Sequence, residues 1–167
     1  MFTLPKKQTV VWENKVKILF VCSVNICRSP IAEGIMRLFC PSAEIDSAGL
    51  YATDGNTVDP LAVACAARHG IDISGLRSRS IRASDFADFD LILTMDEFAS
   101  AFIEQQRPTD GVQYKRARIE NLAIYAGISK IPNPYGTTNF DAVYDLIEKA
   151  CWNLATKVQE NLASKAL

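Results

Sequence analysis

The stretch VKILFVCSVNICRSPIAEGI, residues 16–35, decides the fold of this chain. Its first part, Val16 to Val21, is a short, partly β-branched apolar run bounded by polar residues, which is typical of a strand covered on both faces. Ser29 and Pro30 then predict the start of a helix, because serine suits a capping position and proline a first helical one. The stretch therefore predicts a strand, a short loop and a helix in direct succession.

Apolar runs and helical patterns alternate along the rest of the chain, which predicts an α/β fold with a parallel sheet. Further strands are predicted at Ala43 to Ser47, at Leu91 to Thr94 and within 112–119. Helices are predicted from Asp59-Pro60 to Gly70, as a short turn in 83–89, over 95–106 and over about 140–162. A single domain is expected over 16–167, with residues 1–15 as an N-terminal extension.

Composition excludes several classes of function. With 18 basic and 19 acidic residues the net charge is -1, so bulk attraction to nucleic acid or to a membrane surface is not expected and any anion site must be local. Neither a membrane-spanning run nor a signal peptide is recognisable. Five cysteines without a Cys-x2-Cys unit, together with one histidine, argue against a zinc site or a disulfide framework. A soluble, cytoplasmic protein without metal or cofactor is expected.

The segment between the first strand and the first helix carries the chemistry. A loop in this place can turn its backbone N–H groups inward, the helix N-terminus adds partial positive charge, and Arg28 offers a planar fork to two phosphate oxygens. These features predict a cradle for inorganic phosphate or a phosphate monoester. The loop residues are Ser23, Val24, Asn25, Ile26 and Cys27.

Cys22 stands at the strand end of this loop, where the positive electrostatic field of the loop amides, the helix N-terminus and Arg28 stabilises a thiolate. Ser29 is expected to donate its hydroxyl to the sulfur. Attack of that thiolate at phosphorus would give a phosphocysteine, which water then hydrolyses. Arg28 would stabilise the negative charge on the oxygens of the transferred phosphoryl group. The alternative is that Cys22 is a buried strand-end residue and Arg28 a solvated first-turn side chain.

At this point VCSVNICRSPIAEGI resembles the signature loop and first helix of the low-molecular-weight protein tyrosine phosphatases, usually written V-C-x-G-N-I-C-R-S-P. The blocks DSAG at 46–49, RHGID at 68–72, FDLILTMDE at 89–97 and PNPYG at 132–136 extend the resemblance over roughly 16–154. It implies a four-stranded parallel sheet with helices on both faces. It also implies hydrolysis of phosphotyrosine-type monoesters, on a phosphorylated protein or a small aryl phosphate.

The resemblance also implies residue roles. Cys22 would be the nucleophile, Arg28 the phosphate clamp and Ser29 the thiolate stabiliser. Asn25 would hold the loop through a polar network whose partners here are Glu33, Ser47 and His69. For His69 the alternative is a helix C-terminal residue favoured by the dipole.

Four further positions receive roles from the resemblance. Cys27 matches a cysteine that can form a reversible disulfide with the nucleophile, and an inert thiol is the open alternative. Tyr51 and Tyr135 would wall the mouth of the site, with Ile26 as its floor.

Two positions depart from the family pattern. Asn133 stands where the family has its aspartate acid, and an amide cannot donate the proton, which predicts slow turnover unless Asp141 or Asp54 substitutes. Val24 replaces a loop glycine, which predicts a shifted or strained loop with weaker phosphate binding.

Competing functions remain open at this level. The runner-up is a catalytically impaired module that binds phosphate or phosphotyrosine. An arsenate reductase is disfavoured because Cys65 has no near partner cysteine, and a protein arginine phosphatase because the loop has Ile26 where those enzymes tend to have threonine.

Overall fold

The structure is a computed structural model that describes Thr9 and residues 15–165, with side chains up to residue 160. The predicted extension at 1–15, including its apolar residues Val10, Val11 and Trp12, lies outside the described residues except for Thr9 and Lys15.

Strands and helices alternate through the described part of the chain. The strands are β1 (Lys17–Cys22), β2 (Glu44–Gly49), β3 (Leu91–Thr94) and β4 (Arg118–Asn121). The α-helices are α1 (Arg28–Phe39), α2 (Pro60–Arg68), α3 (Asp85–Asp88), α4 (Glu97–Gln106) and α5 (Phe140–Lys165). Two 3-10 helices, Val112–Lys115 and Leu122–Ala126, flank β4.

The four strands form one parallel sheet in the order β2-β1-β3-β4. Because β1 is central and all strands run the same way, the carboxyl ends of β1 and β2 meet at one edge, where Cys22 pairs with Gly49. Ligands in open α/β sheets bind outside this edge. The predicted α/β fold with a four-stranded parallel sheet is confirmed.

Side chains of β1 alternate between two apolar cores. Ile18 and Phe20 point into the larger core, which α1, α2 and α5 cover, whereas Leu19 and Val21 point into a smaller one with Phe86 of α3. Such alternation buries both faces of the strand, which is why its sequence is a continuous apolar run. Helices therefore lie on both faces of the sheet, as expected.

The start of α1 differs from the prediction. This helix begins at Arg28, two residues before Pro30, and Cys27 occupies its N-cap position without a side-chain capping bond. Ser29 does not cap, because its hydroxyl is committed to Cys22 and Asn25. The hydroxyl that local helix propensity predicted as a cap therefore makes its hydrogen bonds to the loop and the strand end instead.

Other boundaries follow local chemistry. The predicted limits of α2 are confirmed: the Asp59 carboxylate accepts from the N–H of Leu61 at 2.8 Å, and Gly70 has a φ of 78° after the helix end. The strand predicted within 112–119 was placed too early, because 112–115 forms a 3-10 helix and β4 begins at Arg118.

No α-helix in the described residues combines the length and apolarity that a membrane crossing needs.

Core packing predicts a stability difference between two leucines on helices. Leu154 of α5 is fully buried, so Leu154→Ala should lower the free energy of unfolding by about 2–5 kcal/mol through lost burial and a residual cavity. Leu38 of α1 is 51% exposed, and Leu38→Ala should cost less than about 1 kcal/mol. Urea denaturation followed by circular dichroism measures both, and equal losses would contradict the described packing.

Candidate active site

A cavity of about 440 Å³ opens above the carboxyl end of β1. Six loop and helix-start residues line it: Cys22, Ser23, Val24, Ile26, Cys27 and Arg28. Five residues from later parts of the chain complete the wall: Tyr51, Thr53, Asn56, Asn133 and Tyr135. Most of the predicted loop and mouth residues are therefore brought together in one place.

The backbone of the loop is oriented by hydrogen bonds to its outer side. The carbonyl of Cys22 accepts from the N–H of Leu50 at 2.9 Å, that of Ser23 from Tyr51 at 2.8 Å, and that of Ile26 from Asp59 at 2.9 Å. Since the C=O and N–H of a trans peptide unit point in opposite directions, the amides of the following loop residues turn toward the cavity. Such inward amides make an anion-binding nest at the N-terminus of α1.

Asn25 fixes the shape of this loop. It is the only non-glycine residue with a positive φ in the described part of the chain, at 59°, and asparagine tolerates that left-handed conformation better than most residues. Its amide nitrogen donates to Ser29 Oγ at 2.8 Å and to Ser47 Oγ at 2.9 Å, and its oxygen accepts from the N–H of Arg79 at 3.0 Å.

The strain expected at Val24 is not found. The left-handed turn falls on Asn25, so Val24 keeps a backbone conformation that β-branched residues accept, and its side chain lies half exposed at the cavity. Close approach is instead supplied by Gly49, where a Cβ would come within 2.9 Å of the Ser23 carbonyl oxygen. The glycine needed for this packing is on β2, not in the loop.

Ser47 and Glu33 extend the network beneath the loop. Ser47 donates its hydroxyl to Glu33 at 2.6 Å, and the other carboxylate oxygen of Glu33 accepts from Arg37 at 2.5 Å. Burial raises the pKa of Glu33 above its ordinary value, partly offset by the hydrogen bond from Ser47. Both residues were expected to support the loop, and the structure places them there.

His69 lies elsewhere. It is the exposed C-cap residue of α2, and its ring stacks on Tyr144 with centroids 3.8 Å apart. The hydrogen bonds described for the side chains of Asn25, Ser47 and Glu33 go to one another and to Ser29, Arg37 and Arg79. The expectation that His69 supports the loop is therefore corrected. The residue that hydrogen-bonds to Glu33 from outside the loop network is Arg37.

Cys22 and Ser29 form the reactive end of the site. The Cys22 Sγ lies 2.9 Å from Ser29 Oγ, and both side chains are buried. Because Ser29 already accepts a hydrogen bond from Asn25, its own O–H can donate either to Cys22 Sγ or to the Ala48 carbonyl, which lies 3.3 Å away. A thiolate at Cys22 would be the nearer and the charged acceptor of that proton.

Cys27 also lines the cavity, and its thiol is buried. Burial raises the pKa of the Cys27 thiol to about 12, and the negative charges of Asp59 and Cys22 act in the same direction. Cys27 therefore remains a protonated thiol at neutral pH, which excludes it as the thiolate nucleophile.

Arg28 is anchored by two hydrogen bonds, and one of its three nitrogens has no partner in the described part of the chain. Its guanidinium donates to the Ile131 carbonyl at 3.0 Å and to Ser23 Oγ at 3.3 Å. The buried Nε–H has no partner among the described residues. Since an unpaired buried donor is costly, an oxyanion in the cavity would satisfy it and fits the site. The Ile131 anchor, 103 residues away, was not recognisable from the sequence.

The outer wall differs in detail from the prediction. Tyr51 and Tyr135 line the cavity and are 63% and 61% exposed, and half-buried Ile26 lines it as well. Thr53 and Asn56 also line the wall and were missed, since a threonine and an asparagine in a turn-rich loop have an ordinary local explanation. They add polar groups to a mouth predicted to be aromatic.

Asn133 lines the cavity. Asp54 and Asp141, the two carboxylates considered as substitutes for the aspartate acid, do not line it. The backbone N–H of Ser80 and the Arg82 guanidinium hold the pKa of Asp54 below its usual range. A hydrogen bond from Arg68 lowers the pKa of Asp141, which also accepts from Cys65. Both carboxylates are therefore committed as anions to other partners, and no Asp or Glu lies among the described lining residues.

A parallel sheet that carries a cysteine, an amide-lined loop and an arginine at a helix N-terminus is the arrangement of a cysteine-dependent phosphatase. Residues 17–164 match the family model described as low molecular weight phosphotyrosine protein phosphatase. That match covers the whole sheet and the candidate site.

Individual relatives agree with this match. The low molecular weight phosphotyrosine protein phosphatase of Sus scrofa is 37% identical over 153 residues, covering 85% of this chain and 95% of the relative. The low molecular weight protein-tyrosine-phosphatase Wzb of Escherichia coli K12 is 33% identical over 147 residues, covering 86% and 97%. A structure of Vibrio vulnificus Wzb in complex with benzylphosphonate superposes with a TM-score of 0.77 at 27% identity, covering 86% and 99%. The chain belongs to the low molecular weight protein-tyrosine-phosphatase family.

The loop network predicts the behaviour of two Asn25 variants. Asn25→Ala removes the three hydrogen bonds and disfavours the positive φ, so inorganic phosphate should bind about 10-fold more weakly or worse. Asn25→Gly removes the same bonds but permits the conformation, and should lose less. Isothermal titration calorimetry with phosphate measures both, and unchanged binding in Asn25→Ala would contradict the assigned role.

Proposed function

We propose that this protein hydrolyses phosphotyrosine-type phosphate monoesters through a phosphocysteine on Cys22, and that it does so slowly on poor leaving groups. The observation that carries the proposal is one cavity lined both by Cys22, whose sulfur lies 2.9 Å from Ser29 Oγ, and by Arg28, whose buried Nε–H has no partner among the described residues. The proposed nucleophile and the proposed anion clamp therefore line the same cavity.

The first step breaks the bond between phosphorus and the ester oxygen and forms a bond from sulfur to phosphorus. Charge on the three equatorial oxygens is met by the inward amides and by Arg28, which are already oriented and need no rearrangement. As the sulfur loses its negative charge, its hydrogen bond from Ser29 weakens, so the serine stabilises the thiolate before attack. Water then displaces the cysteine and releases inorganic phosphate.

The leaving-group side of the site is the altered one. The ester oxygen departs toward Asn133, whose Oδ1 accepts from the N–H of Tyr135 at 3.2 Å. This bond leaves the amide NH₂ able to donate a hydrogen bond to the departing oxygen, but not a proton. General acid catalysis typically contributes about 10²–10⁴-fold, and a phenol of low pKa depends on it least.

A phosphorylated protein is the proposed substrate class, with a small aryl phosphate as its minimal form. Tyr51 and Tyr135 can pack on a phenyl ring whose phosphate reaches the loop. We also infer a cytoplasmic location, which is supported by five cysteines that are all free thiols.

A second candidate is a module that binds phosphotyrosine without turning it over. The specific observation in its favour is that Asn133 occupies the acid position while the described carboxylates stand outside the cavity. Binding would use the same loop and Arg28.

The decisive experiment compares kcat/KM for para-nitrophenyl phosphate and for a phosphotyrosine peptide in wild type, Cys22→Ser and Asn133→Asp. Wild type should turn over both substrates and Cys22→Ser neither. Asn133→Asp should raise kcat/KM for the peptide by about 10²–10⁴-fold, and less for the nitrophenyl ester, because only the poorer leaving group needs a proton.

The pH dependence supplies a control. Asn133→Asp should acquire a fall in kcat/KM at high pH as the new acid ionises, and wild type should lack that fall. If neither wild type nor Asn133→Asp hydrolyses either substrate while phosphate still binds, the catalytic proposal fails and the binding module replaces it.

A further inference from the structure

Helix α4 exposes aromatic side chains on the face that should be polar. Its inner face is formed by Ala99, Ser100 and Ile103, which are buried against the protein. On the outer side Phe98 is 76% exposed, and Phe102 is only half-buried. Large exposed apolar residues are ordinary when scattered, but two on one face of a helix that already has a buried face need an explanation.

These two phenylalanines lie on one face of α4. Residues four apart on a helix are neighbours on the same face, so Phe98 and Phe102 lie about one turn apart. Exposed Ala101 and Gln105 share that face, and exposed Glu97 and Glu104 lie along one side of it. We call the surface made by Tyr51, Phe102 and Phe98 the aromatic strip.

Tyr51 connects the aromatic strip to the candidate active site. Its ring lies 5.7 Å from that of Phe102, centroid to centroid, and the same tyrosine lines the cavity above Cys22. The strip therefore begins at the mouth of the catalytic cavity and leads outward along α4. It is roughly 12 Å long, which an extended peptide spans with about three or four residues.

We propose that the aromatic strip is a specificity subsite that binds an apolar side chain two to four residues from the phosphotyrosine of a protein substrate. The inference rests on the function proposed above, because it places the phosphotyrosine in the cavity. Its occupant is argued from the continuity of the strip with that cavity and from the aromatic side chains that form it. An apolar side chain packed on Phe98 and Phe102 would be removed from water, which is favourable, whereas a charged one would lose hydration over an apolar surface.

The test uses the full chain with Cys22→Ser, so that phosphopeptides bind without being consumed. Pairs of fluorescein-labelled phosphotyrosine peptides carry leucine or serine at single positions two to four residues from the phosphotyrosine, on either side. Fluorescence anisotropy should show the leucine peptide binding about 5–10-fold more tightly at one or more of these positions, the effect of partly burying one leucine.

Adding Phe98→Ala should abolish that preference without weakening the serine peptide. The matched control is Leu38→Ala, which also trims an exposed apolar residue on a helix but lies outside the strip and the cavity. Hydrolysis of para-nitrophenyl phosphate by the Phe98→Ala single variant should equal that of wild type, since this small ester does not reach α4.

Each other outcome overturns the inference. Equal binding of leucine and serine peptides, or a leucine preference that survives Phe98→Ala, removes the subsite while leaving the proposed function intact. Absence of phosphopeptide binding to Cys22→Ser removes both. A dimer in sedimentation velocity that Phe98→Ala converts to monomer would assign the strip to a second copy of the chain instead of a substrate.

Discussion

Asn25 in its left-handed conformation is the constraint on which the rest of the site depends. Through one side-chain amide it joins Ser29 on α1, Ser47 on β2 and the backbone of Arg79, which is 54 residues away. These bonds hold the turn that points the loop carbonyls outward and its amides inward. They also leave the Ser29 O–H as a donor to Cys22 Sγ or to the Ala48 carbonyl, so loop shape and the surroundings of the sulfur depend on the same contacts. In the proposed reaction, phosphate binding and nucleophile activation are therefore physically coupled.

The two ends of the site differ in the chemical groups that they supply. The proposed nucleophile end has a buried sulfur with a hydroxyl partner, an amide nest and an arginine whose Nε–H has no acceptor among the described residues. The leaving-group end has an amide at Asn133 and polar Thr53 and Asn56 in its wall. In the proposed reaction such a site would stabilise the transferred phosphoryl group in full and the departing oxygen only in part. Its turnover should therefore depend strongly on the leaving group, and an acidic phenol is the substrate it would serve best.

How far the sequence could predict this structure depended on how local each signal was. The apolar run of β1 and the Asp59 and Gly70 signals around α2 depend on neighbouring residues, and they predicted their elements well. Ser29 was misjudged as a cap because its alternative partner, Asn25, is oriented by long-range contacts. The exposed Phe98 gave no signal, since a helical spacing of apolar residues is ordinarily a buried face. What the sequence could not supply in each case was the tertiary partner that overrides or explains a local preference.

The central claim is that phosphate passes through Cys22, and one measurement tests it directly. A carboxylate at position 133 would donate a proton to the leaving group in the first step and accept one from the attacking water in the second. Because Asn133 can do neither, hydrolysis of the phosphocysteine should be slow. Rapid-quench reaction with para-nitrophenyl phosphate should then release close to one equivalent of nitrophenolate per protein in a burst. Mass spectrometry of the quenched protein should find phosphate on the peptide that contains Cys22. Steady release of nitrophenolate without a burst, together with turnover that persists in Cys22→Ser, would contradict the account.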